Sequence, residues 1–377
     1  MFLVLAGVNR ALYPEEICMT VQAQGSPWIE YLMTDQTYLH AILYASECQG
    51  NILLGRDQDG GPAQFHLSKT LKLLADRISD SDDPLAVADQ TIMTTVVLAF
   101  ASEASGDGTV LTNHLYGLMK MVALRGGFGR VGAESDMLAA KICRVDLGAA
   151  LRFNRRPMFF ARDTSWGRYF EGPSTPATTT PEVEGFIQSL DWRLSGVWQD
   201  MRHFSYLCHL ARGTGYKLDH ELYSDIMASV LYRLLHMTLE PDCFAGSAIR
   251  SGLVALASSL FLSWQGVGSD HNGSFGRFGD ALENLRESDT METVPGPLLF
   301  WMLMLWQGLR NAERPPHDEQ WMSEVICHLG LASWQEARQL LNTMVWIEFL
   351  HGPQGKAAFV RSLPAFGPPK LGGKSAP

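Results

Sequence analysis

An all-α fold is the class this sequence predicts: an irregular multi-helix array of antiparallel helices in two halves. Three observations carry the prediction. Apolar residues recur at helical spacing through most of the chain, strand-like alternation is hard to find, and one Pro/Thr-rich stretch near the middle interrupts the pattern. At 377 residues, 46% hydrophobic and 19% charged, the chain is long and apolar enough to bury a sizeable core. No sequence repeat of fixed period occurs, which excludes a regular solenoid.

Met1–Val8 is a short apolar run with no basic residue before it, so it reads as the first turns of a core helix and not as a secretory signal. Leu67, Leu71, Leu74 and Ile78 fall on one helix face, and Ile92, Val96 and Phe100 do the same in the next segment. Leu115, Leu118, Met119 and Val122 follow, with Thr112 as a cap and Gly126-Gly127 as a left-handed stop. Ser135 suits the N-cap of a helix through Leu138, Ile142, Val145 and Ala149.

EGPSTPATTTP, at 171–181, lacks apolar periodicity and reads as a linker. The predicted organisation is therefore an N-terminal helical half at 1–167, a linker at 168–181, a C-terminal helical half at 182–363 and a disordered tail at 364–377. In the second half Phe186, Leu190, Val197, Met201 and Phe204 mark one long helix, and Leu222 to Met237 another. Ile249 through Trp264 forms a third, followed by a Gly/Ser-rich loop at 266–276. Pro297 fits the first turn of a helix reaching Arg310. Ser333 with Glu336 is a capping-box pattern for a last long helix carrying Leu340, Met344 and Ile347.

The charge balance excludes one class of function. With 30 Lys+Arg against 40 Asp+Glu the formal charge is -10, and the basic residues form no run, which opposes binding to nucleic acid or an anionic membrane. Arg152, Arg155 and Arg156 come nearest to a basic cluster. The six cysteines are too sparse for a disulfide scaffold and contain no C-x-x-C, which points to a reducing compartment. The longest apolar run, Leu298–Trp306, is too short to span a membrane.

Motifs for chemistry are weak. Gly127, Gly129 and Gly132 match G-x-G-x-x-G, but a helix precedes them where a dinucleotide site needs a strand. The tail segment Gly367–Ser375 misses a phosphate loop by one glycine. Asp80, Asp82 and Asp83 resemble one magnesium motif of helical terpene cyclases, without the second, and read as turn and cap residues. His40, His66 and His114 stand on separate helices and read as hydrogen-bonded, partly buried side chains, with metal binding the lesser reading. The tryptophans at 301, 306, 321, 334 and 346 read as core, with a small-molecule pocket as the alternative.

Several segments, taken in order, resemble the regulatory domain of fungal zinc-cluster transcription factors. They are Trp28-Ile-Glu-Tyr-Leu with Asp35-Gln-Thr-Tyr-Leu-His40-Ala-Ile-Leu, then His66 to Ile78, then Asp89-Gln-Thr-Ile to Glu103. The most specific is His114-Leu-Tyr-Gly117-Leu-Met-Lys-Met-Val-Ala-Leu-Arg125-Gly126-Gly127, and Asp146 with Pro157-Met-Phe159 closes that half. Pro297–Trp301 and Trp334-Gln-Glu-Ala match less sharply. The resemblance implies an α-helical, non-enzymatic domain that regulates transcription in the nucleus through protein–protein contact. It implies homo- or heterodimers with zinc-cluster factors and contact with the transcription machinery or co-regulators, and it allows a small-molecule effector. The family's compact six-Cys module is absent from this chain, so no cofactor is expected here and zinc only where such a module precedes it; direct contact with nucleic acid or membrane is not expected. The alternatives are a terpene-cyclase-like enzyme and a dimerisation scaffold that titrates related factors.

Overall fold

The computed structural model describes residues 18, 27–56, 61–79, 83–160, 164–171, 180–262, 272–309 and 316–363. The expected helix at Met1–Val8, Asp80 and Asp82, most of the Pro/Thr-rich stretch, the glycines before 272 and the tail from 364 lie outside them. The protein is all-α: the described residues hold α-helices, two 3-10 turns and one isolated bridge, Cys18 to Leu218, with no strand among them.

The first half begins with α1 (Pro27–Thr34), α2 (Gln36–Leu53) and α3 (Pro62–Ile78). Then come α4 (Asp89–Ser105), α5 (Gly108–Leu124), α6 (Phe128–Glu134) and α7 (Asp136–Arg152). α2 packs on α3 and α4, and α4 on α5 and α7. Helix boundaries follow local chemistry. Asp35, Asp107 and Ser135 each accept a backbone N–H from the first turn of α2, α5 and α7. Gly126 and Gly127 have φ of 105° and 96°, so the chain turns out of α5 where a side chain would be strained. Thr112 is not the cap of α5; it lies one turn inside and its hydroxyl donates to the Gly108 carbonyl at 2.6 Å.

The second half holds α8 (Pro181–Ser189), α9 (Trp192–Thr214), α10 (His220–His236) and α11 (Phe244–Phe261). α12 (Asn272–Glu287), α13 (Gly296–Leu309), α14 (Pro316–His328), α15 (Trp334–Leu341) and α16 (Glu348–Ser362) follow. Four sequence expectations are corrected here. The long helix from Phe186 to Phe204 is two helices, because Asp191 accepts from Arg193 N–H and starts α9 afresh. The loop expected through 276 is helical from Asn272, since Phe278 packs on α11 at Gly252. The last long helix stops at Leu341, and α16 begins at Glu348. On α3, Leu71 and Ile78 are 44% and 45% exposed, so periodicity found the helix but not its covered face. The capping box at Ser333 and Glu336 is present in both directions.

One continuous apolar cluster joins the halves, with α7 against α10 and α12, and α11 against α10, α12 and α13. α11 is 18 residues with mean hydropathy 1.4, long and apolar enough to cross a membrane, yet 72% of it is buried within the protein. Trp301 and Trp346 are fully buried, and their indole N–H groups donate to the Val345 carbonyl (2.7 Å) and Glu348 (2.9 Å).

Candidate functional site

The residues singled out by their motifs are mostly internal ties. Asp35 receives Arg77 at 2.8 Å, and Arg77 also donates to Thr37 and Thr91, so one guanidinium fastens α3 to α2 and α4. Hydrogen bonds from Arg77 and Tyr38 hold the Asp35 carboxyl below its ordinary range against the opposing pull of burial. Arg125 pairs with Asp89 and with Glu134 (2.7 Å), joining the end of α5 to the start of α4 and to α6. Trp28 donates its indole N–H to the Met137 sulfur.

His40 and His66 meet with Nδ1 atoms 2.8 Å apart, a pairing that separate sequence positions could not reveal, while His114 is placed on α5. Burial lowers His40, with His66 and Lys69 adding to the effect, and burial lowers His114 against the pull of Asp107. Among the described residues no three His, Cys, Asp or Glu side chains gather where a metal ion would sit. Asp83 accepts from the Leu85 N–H and caps a 3-10 turn. Gly117 is open on its Cβ side, and nothing in the structure explains a glycine there.

Glu103 closes against Gly148, where an added Cβ would lie 2.3 Å from its Oε1. Burial raises the Glu103 carboxyl to about 7, against the pull of Arg144 and Arg152. Arg144, itself buried on α7, donates to the Phe261 (2.6 Å) and Leu262 (3.3 Å) carbonyls and so caps the C-terminal end of α11.

Asp146 explains the spacing of its own motif. Its carboxylate accepts the N–H groups of Met158 (2.8 and 3.0 Å) and Phe159 (3.0 Å) and the Tyr232 hydroxyl of α10 (2.9 Å). The chain can reach back this way because, two residues past the end of α7, Asn154 turns it at φ 47°, a left-handed conformation that Asn tolerates. Pro157 then prevents any return to helix. Phe160, at φ 59°, is held in the same left-handed region between Phe128 and Tyr232, with ring centroids at 4.6 and 5.0 Å.

Arg155 and Arg156 lie on the turn between Asn154 and Pro157. There they line a cavity of about 190 Å³ together with Arg250 of α11 and Arg277 of α12. Ala150, Asn154, Leu235, Ser251, Val254 and Ser274 complete the wall, and among the described residues no carboxylate lines it. Arg155 Nε and Nη2 are buried and make no hydrogen bond. Arg156 reaches the Thr238 hydroxyl at 3.2 Å, Arg250 Nε donates to the Leu234 carbonyl at 2.8 Å, and Arg277 donates to Ser274 at 3.2 Å. Burial lowers Arg250, and the neighbouring Arg277 lowers it further; burial also lowers Arg277. Guanidiniums stay charged at any ordinary pH, so this wall is a concentrated positive field inside an acidic protein. The Arg155-Arg156 pair was visible in the sequence. Arg250 and Arg277 were not, because they stand alone on helices that only the fold brings together.

No family model matches the chain, and neither a curated protein nor a solved structure matches it.

Proposed function

We propose that this chain is the helical regulatory domain of a fungal zinc-cluster-type transcription regulator, acting in the nucleus by protein–protein contact and set by a small-molecule effector. The observation that carries the reading is the ordered motif set, whose members make mutual contacts. Asp35, Asp89, Arg125, Asp146, Pro157 and Phe159 recur in the order the resemblance requires. Each sits in an ion pair, a backbone clamp or the turn between them. Motif residues that hold a scaffold together fit a domain whose output is shape and contact. An effector would act by binding one arrangement of the helices better than another, since only differential affinity shifts such an equilibrium. Dimerisation with zinc-cluster factors, and contact with the transcription machinery, follow from the same resemblance. The test is tethering: fused to a heterologous DNA-binding module in a fungal host, the chain raises or lowers a reporter. A fusion that is expressed, folded and nuclear yet silent in both directions removes the reading.

A further inference from the structure

We propose that the arginine-lined cavity between α7, α10, α11 and α12 binds a small organic or inorganic anion carrying at least two negative charges on phosphate or carboxylate oxygens. Four guanidiniums, from residues 155, 156, 250 and 277, line one cavity from three separate chain segments, and among the described residues no Asp or Glu lines it. Two buried arginines of the second half each meet a carboxylate: Arg233 meets Asp200 at 2.7 Å and Arg202 meets Glu184 at 3.1 Å. Here no such carboxylate stands in the wall among the described residues. Asp146 attracts Arg155 electrostatically, but its oxygens are already occupied by Met158, Phe159 and Tyr232.

Arginine is the side chain whose flat fork grips two oxygens of one anion at once, and it does so without titrating. Arg155 lines the cavity, and its Nε and Nη2 have no acceptor among the described residues, so no neighbouring oxygen there offsets its charge. Size narrows the class. A cavity of ~150 Å³ accommodates benzene, so about 190 Å³ suits a phosphate, a pyrophosphate or a short dicarboxylate. The apolar part of the wall, Ala150, Leu235 and Val254, leaves room for a short carbon skeleton beside the charges. The ligand chemistry rests on the cavity alone; only its consequence for transcription rests on the reading above.

Calorimetry and thermal unfolding of the purified full chain, at fixed ionic strength in chloride, test the inference with phosphate, pyrophosphate, succinate and glycerol. Saturable one-to-one binding of at least one of the three anions is expected, with a rise in Tm, and none with glycerol. Preference between the phosphates and succinate then tells which oxyanion the cavity takes. Arg250→Gln and Arg277→Gln should each weaken that binding at least tenfold, while Arg130→Gln, an exposed arginine of α6, should leave it unchanged. The same two pocket variants should raise the Tm of the anion-free protein, because each removes a repelling charge; a merely structural arginine would lower it. Absence of saturable binding by all three anions overturns the inference, and so does binding that survives both pocket substitutions. Because these readouts need no promoter, a silent reporter and an empty pocket are distinguishable failures.

Discussion

Replacing Asp146 is the perturbation that bears hardest on how the two halves are joined. Its carboxylate gathers two N–H groups from the segment after α7 and one hydroxyl from α10, so a single buried group ties the first half to the second. In Asp146→Asn the amide oxygen would best take the Oδ2 place, keeping Phe159, Tyr232 and the longer 3.0 Å contact from Met158. The amide NH2 then faces the Met158 N–H at the position now 2.8 Å away, donor against donor. Hydrogen bonds to a charged group contribute ~1.5–3 kcal/mol against ~0.5–1.5 for neutral ones, so three weakened bonds amount to about 3 kcal/mol. Burial raises the Asp146 carboxyl, so removing its charge returns some desolvation energy, and a net loss of about 2 kcal/mol is expected. Asp146→Ala leaves all three donors unmatched and should cost about 3–5 kcal/mol. Tyr232→Phe, which deletes one donor, should cost about 1 kcal/mol. Urea unfolding followed by tryptophan fluorescence measures the series. The order Ala, Asn, Phe from worst to mildest is the expected result, with Asn and Phe together costing less than their sum. Asp146→Ala within about 1 kcal/mol of the parent would refute the clamp.

Three further outcomes follow from the same packing. Gly148→Ala should destabilise by about 1–3 kcal/mol, since its Cβ would stand 2.3 Å from Glu103 Oε1; Glu103→Ala in the same chain should restore most of the loss, read as Tm. The Glu103 carboxyl, raised to about 7 from an ordinary 4.5, stabilises the fold fully below pH 4.5 and loses that contribution as pH rises toward 7; the stability of the parent relative to Glu103→Gln should fall across that window. Lys141, lowered by burial and by Arg144 to about 7 from 10.5, has the opposite slope, so the parent relative to Lys141→Met should gain stability from pH 7 to 10.5.

Much of this architecture was legible because helix ends are chemical. Ser135, Gly126-Gly127, Pro297 and the Ser333–Glu336 box mark their boundaries in the sequence as they do in space. The break between α8 and α9 was missed because apolar spacing runs through Leu190, although Asp191 carried the cap signal. α12 was missed at its start because glycine and serine spell loop locally, while Phe278 against Gly252 decides the matter tertiarily. Leu71 and Ile78 show the limit of periodicity: it gives the face that is apolar, not the face that another helix covers. The site divides the same way. The Asp146 and Pro157-Phe159 motif announced a contact that the fold then explains. The cationic cavity needed the crossing of α7, α11 and α12, which no local pattern encodes.

The tethered reporter tests the central claim most directly, provided it is run beside two variants. The parent chain fused to a heterologous DNA-binding module should move the reporter clearly in one direction. Asp146→Ala, which loosens the scaffold, should abolish the effect, and Arg277→Gln, which leaves the scaffold intact, should change how the reporter answers to its effector. A parent fusion that is folded, nuclear and without effect on transcription would contradict the account.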